Sequence, residues 1–215
     1  MKTIRLSGQD ICLLPERAAF WPSESALLLA DAHIGKDQVF RHAGVAVPAG
    51  VAAAELARID ALLARTGAAR LIILGDWIHA SPRPGDDWPE QVLAWRQSHP
   101  ALTVDLVLGN HDRKLAGWLN RWDMQPHQPG LALAGLQLVH EWQDALGQPA
   151  ISGHLHPGAI LQDRRQRLRL PAFLLGHEQL VLPAFGRFTG LMTETDFPAR
   201  QRIAIADQAL YELPA

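Results

Sequence analysis

Hydrophobic and polar positions along the 215-residue chain follow two rhythms. In the first half, solid apolar runs alternate with segments of helical period. In the second half, short apolar runs succeed one another with only turns between them. Ile4, Leu6 and then Ile11 to Leu14 predict a hairpin turning at Ser7–Gly8, and Glu16 to Pro22 reads as a connection. Ala26 to Ala30, Leu71 to Leu74 and the run of Val104, Leu106, Val107 and Leu108 have the length and apolar density of buried strands. Between them, Val51 to Arg65 predicts a helix, because Leu56, Ile59 and Leu63 share a face and Gly67 stops it. Pro89 to Gln97 predicts another, with Pro89 in its first turn, and Arg113 to Trp122 a third. His79 to Trp88 carries Pro82, Pro84 and Gly85 and reads as a loop, as does the segment after His33. Beyond Pro126 the pattern predicts a hairpin over Leu131 to Val139, turning at Gly135. Further strands follow at Ala150–Ile151, Leu168–Leu175, Gln179–Leu182, Arg202–Ala206 and Ala209–Glu212. Alternation followed by strand-only pattern predicts an α/β chain: two mixed sheets packed as a sandwich, flanked by helices, in a single domain over residues 1–215.

Composition narrows the class. With 48% hydrophobic and 20% charged residues, the chain is long enough to bury one substantial core. A net charge of -2 provides no global attraction to nucleic acid, so any such contact has to be local. The single cysteine, Cys12, excludes an internal disulfide and sits in an apolar run as a core residue. No apolar run approaches the ~18 residues of a membrane span, and Lys2 to Asp10 alternates as a strand does and a leader does not. The expectation is a cytoplasmic protein with no membrane partner.

The chemistry lies where apolar runs stop. Leu108-Gly109-Asn110-His111-Asp112 passes in one step from strand to an amide, an imidazole and a carboxylate. Four other runs end the same way, at Asp31/His33, at Asp76, at His140 and at His154/His156. Ligands of open α/β sheets gather beyond the carboxyl ends of strands, so neighbouring strands would bring these groups to one cleft. Two carboxylates, an amide oxygen and five imidazoles exceed what one ion needs and suit two divalent ions sharing a carboxylate. Imidazoles mixed with oxygens favour Mn, then Fe or Zn, over Mg.

Asp31-x-His33, Gly75-Asp76, Gly109-Asn110-His111-Asp112, a lone His140 and Gly153-His154-x-His156 together resemble the five-block signature of calcineurin-like metallophosphoesterases. The resemblance spans Asp31 to His156 and implies the α/β/β/α metallophosphoesterase fold. It implies one metal held by Asp31, His33, Asp76 and His156, and a second held by Asp76, Asn110, His140 and His154. It also implies His111 as the catalytic histidine, Asp112 as the group that orients it, and a metal-bridging hydroxide attacking phosphorus in line. Val139 stands where many members have glycine. Asp31-Ala-His-Ile-Gly-Lys36 and Leu182-Pro-Ala-Phe-Gly-Arg-Phe-Thr-Gly190 are similar to the bacterial ligase-associated DNA damage response endonucleases. That likeness implies DNA as substrate and DNA ligase-associated repair proteins as partners.

Other residues admit plainer readings. His79, His99, His127 and His177 are read first as satisfied turn residues. Lys36, His42 and Arg113 lie near the blocks and could touch phosphate or simply be solvated. Arg165, Arg167 and Arg169 alternate along one strand face, as a phosphate track or as a charged edge that resists aggregation. Trp77 and Trp142, beside Asp76 and His140, are read as packing in preference to base stacking. Three functions remain open once the residues and the resemblance are taken together. They are a two-metal phosphodiesterase acting as a DNA endonuclease in repair, a small-molecule phosphomonoesterase or cyclic-nucleotide phosphodiesterase, and a non-catalytic interaction module.

Overall fold

A computed structural model describes residues 1–162 and 166–214. The first sheet has seven strands in chain order: β1 (Lys2–Leu6), β2 (Gln9–Leu14), β3 (Ala18–Trp21), β4 (Ala26–Leu29), β5 (Arg70–Leu74), β6 (Thr103–Val107) and β7 (Gln125–His127). β1 to β4 pair antiparallel, and β4 to β7 run parallel. Parallel neighbours need crossovers, and the helical segments supply them: α1 (Lys36–His42) and α2 (Val51–Thr66), then α3 (Trp88–Ser98), then α4 (Ala116–Arg121). β4 and β5 are buried on both faces, which is why they read as unbroken apolar runs.

The second sheet contains β8 (Gly130–Leu133), β9 (Leu136–Val139), β10 (Ala150–Ser152), β11 (Gly158–Gln162), β12 (Arg167–Leu175), β13 (Gln179–Val181), β14 (Gln201–Ala206) and β15 (Ala209–Pro214). Its order is β15-β14-β12-β13-β10-β9-β8, with β11 pairing on β12. β9, β10 and β13 are parallel, so β9 and β10 also present their carboxyl ends together.

Two cores hold the layers. Ile4, Leu13, Trp21, Leu28 and Ile72 from the first sheet meet Leu138, Ile151, Phe173 and Ile203 from the second. Leu56, Ile59, Trp88, Val92 and Trp95 from the helices close the outer face of the first sheet. The expected sandwich with flanking helices is what forms. On the outer face of the second sheet the covering is slight: the 3-10 turn Trp142–Ala145, whose Trp142 packs edge-on against Phe197.

Four elements depart from the sequence expectation: strands β3, β7 and β11, none of which was anticipated, and helix α1. The segment Glu16–Pro22 contains strand β3, entered by a turn in which Arg17 takes a left-handed φ of 67°. The segment after His33 is helix α1 where a loop was expected; Asp37 is its one buried residue, so no apolar stripe announces it. α1 is held by Gln38 donating to Asp87 at 2.9 Å and by His42 facing Asp86 at 3.5 Å, which dock it on the Pro-rich loop. Cys12 is buried and free. No helix among the described residues is long and apolar enough to cross a membrane.

Candidate metal centre

The loops that leave β4 and β5 continue to pair after the strands end. Asp31 N donates to Gly75 O at 3.0 Å, His33 N to Asp76 O at 2.9 Å, and Ile34 N to Trp77 O at 2.9 Å. This zipper sets Asp31 and His33 beside Asp76. The second sheet is tied in by His154 N, which donates to Asp31 Oδ2 at 2.9 Å, and within that sheet Gly153 N donates to His140 O at 3.0 Å, holding the two loops together. Asp31, His33, Asp76, His154 and His156 all adopt positive φ, between 46° and 68°. Left-handed backbone costs a non-glycine residue about 1–2 kcal/mol, so the surrounding bonds over-determine these five. Two glycines give the room: a Cβ on Gly75 would lie 2.0 Å from His140 Nδ1, and one on Gly109 2.3 Å from Asp76 Oδ1.

The side chains gather into two groups. Asp31, His33 and His156 form one, with their ligand atoms within 4.8 Å of one another. Asp76, His140 and His154 form the other by the same measure. Asp76 lies between them: Oδ2 is 3.8 Å from His33 Nε2 and Oδ1 is 3.7 Å from His140 Nε2. Asn110 Oδ1 lies 3.2 Å from His140 Nε2 and so joins the second group. All seven residues proposed as ligands from the sequence therefore meet at the carboxyl ends of strands from both sheets.

These groups suit cations. Asp31 Oδ1 is buried without a hydrogen-bond partner and lies 3.6 Å from His156 Nε2. An orphaned buried carboxylate oxygen is costly unless positive charge meets it. His33 Nε2 and His156 Nε2 face each other at 3.2 Å, as two imidazoles aimed at a common point do. His140 Nδ1 donates to Leu74 O at 3.0 Å, which leaves Nε2 bare toward Asp76, in the pattern of a metal-ligating histidine. Burial holds His33 far below the usual histidine range, with nearby His156 and Lys36 adding to the effect, so it stays neutral as a ligand must.

Two expected roles change. Asp112 was expected to orient His111, but its carboxylate accepts from the backbone N–H of Gly109 at 3.0 Å and of Trp77 and Ile78 at 3.3 Å. It braces the loops after β5 and β6 against each other. Burial pushes its carboxyl up to about 6, against the downward pull of those three donors. The group that orients His111 is the carbonyl of His79, which accepts from His111 Nδ1 at 2.6 Å. His111 Nε2 is thereby left facing the cage, 3.9 Å from Asp76 Oδ2, and its backbone N–H donates to Asp76 Oδ1 at 3.0 Å.

His79 is the residue that sequence reading missed. Its ring stacks on His111 with centroids 4.9 Å apart, and its Nδ1 lies 3.3 Å from His33 Nδ1. Burial lowers its pKa to about 4, helped by Lys36 and His111. The available signal was its position in the loop three residues after Asp76. His99 and His127 fit their plainer readings, since each is satisfied away from the cage, His127 by Asp105 at 2.6 Å. Trp77 and Trp142 are buried packing residues.

Of the proposed phosphate contacts, Lys36 lines a cleft with His33 at the start of α1. Arg113 is exposed in the turn that follows His111. Arg169 lines a groove of about 460 Å³ with His154, His156 and Met192, and its Nη2 donates to Leu191 O. Arg167 is exposed two residues away on the same strand face, whereas Arg165 lies outside the described residues.

Two mixed sheets whose strand ends carry a shared-aspartate cage of histidines define a phosphoester hydrolase of the metallophosphoesterase class. A solved structure bears this out over the whole chain: the Pseudomonas putida nuclease MPE is 37% identical, with a TM-score of 0.84 and 99% of each chain covered. The chain belongs to the family of that nuclease. The E. coli phosphoesterase Yfce aligns over 88% of this chain and 98% of its own at 19% identity and a TM-score of 0.44. No family model matches the chain, and no curated protein does.

Proposed function

We propose that this chain is a dinuclear-metal phosphodiesterase that cleaves DNA as an endonuclease, with Mn as the preferred ion. Asp31, His33, Asp76 and His156 would hold one ion, and Asp76, Asn110, His140 and His154 the other. When bound, the ions supply Lewis acidity toward phosphoryl oxygens and lower the pKa of water. His111 presents Nε2 toward the cage, where it would hydrogen-bond the phosphoryl group or protonate the leaving oxygen. The observation that carries the reading is the convergence of all seven ligand side chains at strand ends of both sheets, on a chain 37% identical to a nuclease. The open groove bearing Arg169 leaves room for a polymer. Ligase-associated repair proteins as partners and a cytoplasmic location belong to the same proposal.

Mn-loaded protein should cleave DNA and also a small aryl phosphodiester, and a chelator should abolish both activities. A panel of DNA, RNA, nucleotides and sugar phosphates tests the choice of substrate. A monophosphate cut much faster than any DNA would move the function to the small-molecule phosphomonoesterase.

His79 has a positioning role in this scheme. For His33 to ligate through Nε2, its Nδ1 must carry the proton and donate to His79 Nδ1 at 3.3 Å. His79→Leu removes that acceptor and should weaken the Asp31/His33/His156 site for Mn by about 10–100-fold, the range for outer-shell partners of ligands. His79→Asn places an oxygen where Nδ1 was and should recover most of that affinity. Titration of Mn into the metal-free variants decides the matter; wild-type affinity in His79→Leu would remove the role.

A further inference from the structure

Three arginines outside the cage share one cavity of about 560 Å³: Arg17, Arg58 and Arg187. One carboxylate serves them directly, and both of its oxygens are occupied. Glu55, which is buried, takes the Arg58 side chain on Oε2 and the Arg187 backbone N–H on Oε1 at 3.0 Å. Arg58 spends two further donors on backbone carbonyls. It donates to Phe185 O at 2.9 Å and to Glu16 O at 2.8 Å, and stacks on the Phe185 ring at 4.0 Å. The Glu16 carboxylate is committed to Arg65. Asp207, on the same cavity wall, forms no ion pair with Arg17 or Arg187 among the described residues.

Arg17 and Arg187 are therefore left with unspent donors. Arg17 is half-buried, sits on a left-handed turn, and spends one donor on Gly186 O at 3.3 Å. Burial, with the neighbouring Arg58 and Arg187 charges and against the pull of Glu55, holds its pKa below the usual arginine value. Arg187 is exposed, and its side chain has no hydrogen bond among the described residues. Its position is telling, since it lines both this cavity and the cleft that holds His33 and Lys36. Gly186, which joins the two arginines, donates its N–H to Asp31 O at 3.1 Å, so the cluster is built against the back of the cage.

Uncompensated guanidiniums at the edge of a hydrolytic centre match the repeated phosphates of a strand. We propose that Arg17 and Arg187 form a phosphate track beside the cage that grips a polynucleotide next to the scissile bond. This rests on the nuclease reading and extends it, because it makes the length of the strand a determinant of rate.

The test uses Mn-loaded protein and single-stranded DNA of 2 and 12 nucleotides, with kcat/KM measured across salt concentration. In wild type the 12-mer should be much the better substrate, and its kcat/KM should fall with salt by about 0.7 log per contacted phosphate per log of salt. R17Q together with R187Q should reduce the 12-mer value about 10–100-fold and shrink its advantage over the dinucleotide. The salt slope should flatten by about 1.4. Because Arg17 also braces a turn, R187Q alone provides the second reading. That residue is exposed, and its loss should give half the change in slope. An unchanged length advantage and slope in both variants overturns the track. Absence of cleavage of either strand by wild type would instead overturn the nuclease reading.

Discussion

Asp76→Ala is expected to abolish turnover and to weaken both ions together by more than ~100-fold, beyond what outer-shell losses cause. The expectation follows from position. The two carboxylate oxygens of Asp76 face different histidines, at 3.8 Å to His33 and 3.7 Å to His140, so one side chain belongs to both groups. Loss of a terminal ligand such as His33 should lower mainly one occupancy. Asp76→Asn separates charge from shape, because an amide oxygen can still accept from His111 N–H. It should preserve the loop and still lose metal. Metal content and calorimetric titration of the three variants decide, and two tightly held ions in Asp76→Ala would refute the shared-ligand assignment.

His111→Ala is expected to lower kcat by ~10²–10⁴, the usual scale for a positioned acid or base, while both ions stay bound. Its Nδ1 is committed to the carbonyl of His79, and its ring is a third exposed, so it is placed to meet substrate rather than to close the cage. The fold should tolerate the change, since the backbone N–H that holds the loop to Asp76 survives it. Loss of an ion on this substitution would make His111 a ligand.

The cage was legible because its residues sit where buried strands stop. An apolar run such as Ala26 to Ala30 has no reason to end in Asp31-x-His33 except chemistry, and strand ends converge once the strands are neighbours. The missed elements lacked local signal. β3 is four residues long, and α1 has no apolar stripe because it is held through Gln38 and His42 to a loop some 45 positions on. His79 acquires its role from His33, 46 residues earlier in the chain. The error over Asp112 is instructive. Adjacency to His111 suggested a pair, yet neighbours on a tight turn point apart, and the carboxylate turned inward to three backbone donors.

Each half of the cage draws on both sheets: Asp31 and His33 with His156, and Asp76 with His140 and His154. Bound ions would thus rivet the two leaves of the sandwich at one end, where five left-handed ligand residues concentrate backbone strain. Binding to the folded chain alone stabilises it in proportion to the logarithm of free metal. The supply of divalent metal in the cell would then govern how long each molecule survives proteolysis as well as how fast it works. Starvation for the ion would thin the population of the enzyme before it slowed any surviving copy.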